Sequence, residues 1–296
     1  MAAKKRKSSV GRKSLRKAAL DAAGAPIVVY IHGIGEQVQA ERLKRQWDLA
    51  LFGKLMGDRT RMAYWADIVG NERRPAAPGA GKKSGSARRS AEGPLDPAEI
   101  VRDAGIVGAQ AEEATTFIAA LAASLPSAVV TGDPTRSGKS TRVLPLPAFL
   151  RRPIARAFLK AFLTDVAVYL YDAAKRKAIQ QRLAAQIPGD GEPFVLVSHS
   201  LGSVVAFEQL NAARKRADAA AWATLGSPLG IQEVQDELAR RHAVAAPERE
   251  HAWHNFADRL DPVAIDAGLA NDYQPRGAIR VIDHRVDNER TRDLLR

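Results

Sequence analysis

Short apolar runs closed by glycine set the pattern of this chain. Ile27-Val28-Val29-Tyr30-Ile31 is an unbroken, largely β-branched run that stops at His32-Gly33-Ile34-Gly35, as a buried strand does. Comparable runs recur at 62–65, 194–197, 221–225, 252–257 and 278–286. Helical spacing fills the intervals. Leu43, Trp47 and Leu51 recur on one face of 39–52, and 98–125 is Ala-rich. A long stretch from Pro153 to 187 carries a stripe of Phe158, Phe162, Val166, Tyr169, Leu170 and Ala173. Residues 204–212 are rich in helix formers, and 232–242 reads as a polar helix. Strands that alternate with helices predict an α/β fold, with a mainly parallel sheet flanked by helices.

Three stretches break the alternation. Residues 1–24 are Lys/Arg/Ala/Ser-rich and read as a disordered basic tail. Residues 69–94 turn to Pro, Gly, Lys, Arg and Ser, and 126–152 are proline-rich and irregular in pattern. The fold is therefore expected over 25–296, with 69–152 as an insertion or cap before the strand at 194. Gly132-Asp133-Pro134-Thr135-Arg136-Ser137-Gly138-Lys139-Ser140 imitates a phosphate-binding loop. It has five residues between its glycines instead of four, and Arg142-Val143-Leu144-Pro145 follows it instead of a helix. It is read as a decoy, and no nucleotide or other cofactor is expected.

Composition narrows the classes further. No run of about 18 apolar residues exists to span a membrane, and the charged N-terminus lacks the apolar core of a secretory signal. The absence of cysteine removes disulfides and thiolate chemistry and fits the cytoplasm. Lys4, Lys5, Arg6, Lys7, Arg12, Lys13, Arg16 and Lys17 supply most of the net charge of +12, and residues 1–20 contain no acid. The basicity thus belongs to the tail. Such a tail suits weak contact with an anionic surface; with no aromatic residue to stack on bases, it predicts no specific nucleic-acid binding. Oligomeric state is not legible.

The stretch with most chemical content is Ser198-His199-Ser200-Leu201-Gly202, set between a buried strand and a helix. It is one small residue away from the Gly-x-Ser-x-Gly turn that holds a nucleophilic serine, with Ser198 in place of the first glycine. The helix after Ser200 would aim its N-terminus at developing negative charge. His32 reads as a structural residue of its loop, and His199 as a filler of the turn. Downstream, Gly226-Ser227-Pro228-Leu229-Gly230 closes one strand, and Asp258-Arg259-Leu260-Asp261-Pro262-Val263 follows another.

In this order, His32 to Gly35, Ser198 to Gly202, Gly226 to Gly230 and Asp261-Pro262-Val263-Ala264 resemble the α/β-hydrolase family, in its lipase-like and esterase-like branch. The resemblance spans roughly 25–290, apart from the insertion. It implies a serine hydrolase that cleaves a carboxylic ester of a small molecule or lipid, without metal or organic cofactor. Ser200 would be the nucleophile, and the backbone amides of Ile34 and Leu201 the oxyanion hole. Asp261 would be the acid, with Asp258 as the competing carboxylate. The base follows the acid in this family, so either His284 serves, although it falls within a strand pattern, or the base lies beyond Arg296. The alternative reading is a non-catalytic binding protein on the same scaffold, with an incomplete triad.

Overall fold

The fold was analysed in a computed structural model, which describes residues 26–70, 95–125, 148–189, 192–212, 219–247, 252–258, 268–276 and 279–286. The tail, much of the insertion and the decoy loop lie outside them.

Six of the apolar runs become strands of one sheet: β1 (Ile27–Ile31), β2 (Thr60–Ala63), β3 (Phe194–His199), β4 (Ala219–Leu225), β5 (Trp253–Asp258) and β6 (Val281–Val286). All neighbours pair in parallel, in the order β2-β1-β3-β4-β5-β6. The fold is α/β, as the alternation predicts. β2 ends at Ala63, so Tyr64 and Trp65 fall just past it. Both are buried, Trp65 where it meets the loop after β1.

The helices are α1 (Ala40–Phe52), α2 (Ala66–Val69), α3 (Pro97–Asp103), α4 (Ala109–Ser124), α5 (Ala148–Tyr171), α6 (Ala173–Ala184), α7 (Leu201–Ala212) and α8 (Gln232–Ala239). The single helix expected over 153–187 is two. Asp172 leaves the helical conformation at φ −96°, ψ 94°, and its side chain accepts the Lys175 amide, capping α6. The first of the two already begins at Ala148, upstream of Pro153.

Because side chains alternate along a strand, each sheet face has its own row. Val29, Ile31, Phe194, Leu196, Trp222, Trp253 and Val281 enter the main core with α7. Ile100, Val101, Ala114, Ile118 and Leu121 of α3 and α4 join the same core, so this part of the insertion packs into the main body. On the opposite face Tyr30 meets Trp47 of α1, ring centroids 5.1 Å apart, and Leu43, Tyr64 and Ala66 form a smaller cluster. Among the described helices, none is long and apolar enough to cross a membrane.

The chain order matters for function. From β1 it steps outward to β2 on one side, then returns to β3 on the other. The connections after β1 and β3 therefore leave the carboxyl ends of adjacent strands for different sides of the sheet order, the place where α/β sheets form their ligand crevice.

Candidate active site

Two segments meet at that crevice. β3 ends at His199, and α7 starts at Leu201, leaving Ser200 as the whole turn. A one-residue reversal forces an unusual backbone. Ser200 has φ +50°, and among the described residues it is the one non-glycine with positive φ. Strain of this kind costs on the order of 1–3 kcal/mol, so the surroundings must hold it. Two backbone bonds do so: the Ser200 amide donates to the Leu225 carbonyl at 3.0 Å, and the Ser203 amide donates to the Ser200 carbonyl at 2.8 Å.

Side chains add a directed chain of hydroxyls. The Leu229 amide donates to Ser227 Oγ at 3.2 Å, Ser203 Oγ lies 2.6 Å from Ser227 Oγ, and Ser203 Oγ donates to the Ser200 carbonyl at 2.6 Å. Since the Ser203 proton is committed to that carbonyl, Ser227 is the donor between the two hydroxyls. Ser198 has a comparable use. Its Oγ donates to the Ala223 carbonyl at 3.2 Å and accepts from Trp222 Nε1 at 2.9 Å, so the replacement of a glycine satisfies a buried indole.

The glycines follow from close approach. A Cβ on Gly33 would lie 2.7 Å from Ser200 Cβ and 2.9 Å from His199 Nδ1, and one on Gly202 would lie 2.5 Å from the His32 carbonyl oxygen. The loop after β1 therefore presses directly on the Ser200 side chain, and α7 presses on that loop. Ile34 follows Gly33, and Leu201 is the first residue of α7, so both expected oxyanion amides belong to segments that touch Ser200. Gly35 donates its amide to Asp165 Oδ2 at 2.9 Å. Asp165 is 4% exposed, on α5, 130 residues away in sequence.

His32 holds the loop, as the sequence suggests. Its Nδ1 donates to the Gly33 carbonyl at 2.7 Å, its Nε2 accepts from the Trp65 amide at 3.0 Å, and Trp65 Nε1 donates to the His32 carbonyl at 3.0 Å. The ring stacks on Trp65 at 4.8 Å. With both nitrogens engaged as in the neutral form, burial pushes its pKa down to about 4.

The Ser200 hydroxyl stands apart from all this. It is buried and has no hydrogen-bond partner among the described residues, whereas its carbonyl and amide are both satisfied. A buried hydroxyl without a partner is costly and calls for an explanation.

Of the other expected residues, Asp261 lies outside the described residues. Asp258 ends β5. His284 stands on β6, an outer strand of the sheet. Cross-sheet register aligns His199 with Leu225, Leu225 with Phe256, and Phe256 with His284. Three strand spacings separate the ends of that row, about 14 Å. The ring is also engaged elsewhere, with Nε2 2.8 Å from His254 Nδ1 and its plane stacked on Phe256 at 4.6 Å. The structure thus does not bring His284 to Ser200. Its neighbour Asp283 faces the other way, accepting from Asn255 Nδ2 and from the amides of Leu269 and Ala270. Among the described residues, no three His, Cys, Asp or Glu side chains gather as a metal ion would require.

Sequence reading missed Asp165, Ser203, Ser227 and Trp65. Ser227 stood inside a recognised motif and Ser203 directly after one, but nothing local marked their mutual contact. Asp165 did carry a signal, as a carboxylate next to the apolar stripe of a long helix. Compared with family models, with curated proteins and with solved structures, the chain matches none of them.

Proposed function

We propose that the protein is a serine hydrolase of the α/β-hydrolase type, cleaving a carboxylic ester of a small molecule or lipid through Ser200. The observation that carries this reading is the state of Ser200: one strained residue between a buried strand and a helix, its hydroxyl unpartnered, at the switch point of a parallel sheet. In the proposed reaction Ser200 Oγ attacks the acyl carbon as a base removes its proton, and the carbonyl oxygen takes the negative charge. The Leu201 amide, at the start of a 12-residue helix, and the Ile34 amide would receive that charge. Collapse expels the alcohol, and water then releases the acid. Asp261 is proposed to orient the base.

A second reading is favoured by the placement of His284 on the far strand: a scaffold whose serine lacks an effective base and that binds without turnover. Reaction with a fluorophosphonate separates the two, because it requires an activated hydroxyl. Labelling of wild-type protein at Ser200, with loss of label and of ester hydrolysis by about 10⁴-fold in Ser200→Ala, is the expected outcome. A folded wild-type protein that neither labels nor hydrolyses esters would favour the binding scaffold.

A further inference from the structure

We propose that the C-terminal end of α1 and the turn after it form a docking surface for an anionic lipid bilayer. This goes beyond the serine chemistry and does not depend on it. The helical spacing of Leu43, Trp47 and Leu51 predicts one inward face, yet only its first part turns inward. Leu43 is buried, whereas Leu49, Leu51, Phe52 and Leu55 are between 40 and 52% exposed. Four large apolar side chains within seven residues are a costly surface unless something covers them.

The platform under them is rigid. Asp48, itself buried, accepts from Tyr30 Oη at 3.0 Å and Thr60 Oγ1 at 2.7 Å through one oxygen, and from the Met56 amide at 3.0 Å through the other. Gly53 ends α1 in the left-handed region, φ +66°, with its amide on the Leu49 carbonyl. The apolar tip is therefore fixed by structure.

Charge identifies the occupant. Exposed Arg42, Arg45, Lys54 and Arg59 flank the tip in the chain, against exposed Glu41 and Asp58. Parallel pairing of β1 with β2 aligns Val28 with Thr60, so this tip lies at the amino edge of the sheet, the edge at which β1 begins. The sequence preceding β1 holds eight Lys and Arg in its first 20 residues and no acid among them. Exposed apolar side chains with an excess of cations flanking them in the chain, in a protein whose first 20 residues are basic, match an interface of anionic headgroups over acyl chains. Ser200 sits at the opposite, carboxyl edge, so docking tethers the protein and leaves the crevice facing away from the bilayer.

The test is co-sedimentation of the full chain with vesicles of phosphatidylcholine alone and of phosphatidylcholine with phosphatidylglycerol. Binding to the phosphatidylglycerol vesicles should be at least about tenfold the stronger and should weaken as salt is raised. The triple substitution Leu49→Ser, Phe52→Ser, Leu55→Ser should lower it by about tenfold or more, and deletion of residues 2–20 should also lower it. Leu55→Ser alone, in the turn, should lower it by about threefold and serves if the triple variant fails to fold. Absence of wild-type binding to the anionic vesicles, or equal binding by the variants, overturns the proposal. A wild-type dimer dissolved by the same substitutions, without vesicle binding, overturns it in favour of a second copy of this chain.

Discussion

Single residues at the crevice divide into those that are satisfied and one that is not. His32 is the clearest of the first kind: each ring nitrogen has a backbone partner, and the ring is stacked on Trp65. Its neutral form is built into the fold, with a pKa pushed by burial from 6.5 to about 4. The sign follows from proton counting. Between those values the unfolded chain binds a proton that the folded chain refuses, so stability rises with pH across the window and falls as pH drops from 6.5 towards 4. The full effect is about 3 kcal/mol. Denaturant unfolding at a series of pH values should show this slope in wild-type protein and a flatter one in His32→Asn; equal slopes would show that His32 is not held neutral. That His32 is structural could be read from its place beside Gly33. Its partner Trp65 could not, because nothing local to a strand end says which residue 33 positions later returns to it. The same limit hid Asp165. By contrast, Ser200 was legible, because a one-residue turn needs small neighbours, and Ser198 and Gly202 advertise that need on either side.

At the scale of elements, α7 is the part that everything else positions. Its N-terminus carries Ser200, and its middle carries Glu208, which is wholly buried. Glu208 accepts from Tyr169 Oη at 2.6 Å and Gln180 Nε2 at 3.1 Å, and forms a bidentate pair with Arg176. His242 Nε2 lies 3.5 Å away. Burial alone would raise the carboxyl's pKa, but His242, Tyr169 and Arg176 outweigh it and hold the group below its ordinary value. Residues from α5, α6 and the segment after α8 thus converge on one side chain of α7. Arg176→Met would leave that carboxylate buried without its main partner and should destabilise the protein by about 3–5 kcal/mol. Arg240→Ala, at an exposed guanidinium that pairs with Glu113 and Glu237, should cost far less, because Arg241 still pairs with Glu237. Thermal or denaturant unfolding of the two variants checks the contrast, and similar losses would mean that the Glu208 cluster does not anchor α7. Periodicity found most of these helices but not their ends. Asp172 splits one predicted helix because a capping side chain competes with the ladder, and Leu51 leaves the buried face because α1 outruns the sheet it covers. Such outcomes depend on what lies opposite, which a single helix's pattern does not contain.

At the scale of the whole molecule, the order β2-β1-β3-β4-β5-β6 settles which residues can act together. Alternating strands and helices made the parallel sheet legible in the sequence, and the order of glycine-closed strands placed Gly33 and Ser200 at strand ends. Strand order itself is a tertiary property, and it decides the fate of His284. A base for the proposed reaction would have to come within about 3 Å of the Ser200 hydroxyl, whereas His284 lies in the fourth strand of its row, about 14 Å from His199 at the level of the backbone. Its imidazole pairs with His254, whose own pKa is lowered by burial and by His284 beside it. Two rings sharing one hydrogen bond on the face opposite Asp283 form a structural contact of the β5–β6 edge. His284→Ala should therefore leave fluorophosphonate labelling of Ser200 within about twofold of wild type, while loosening the β5–β6 edge by about 0.2–1 kcal/mol through the lost cross-strand pair. Labelling rates measured alongside unfolding of the same variant separate the two effects. A hundredfold loss of labelling at unchanged stability would mean that the last strand shifts to deliver its histidine to Ser200, and the arrangement described here would then be a resting form of the site.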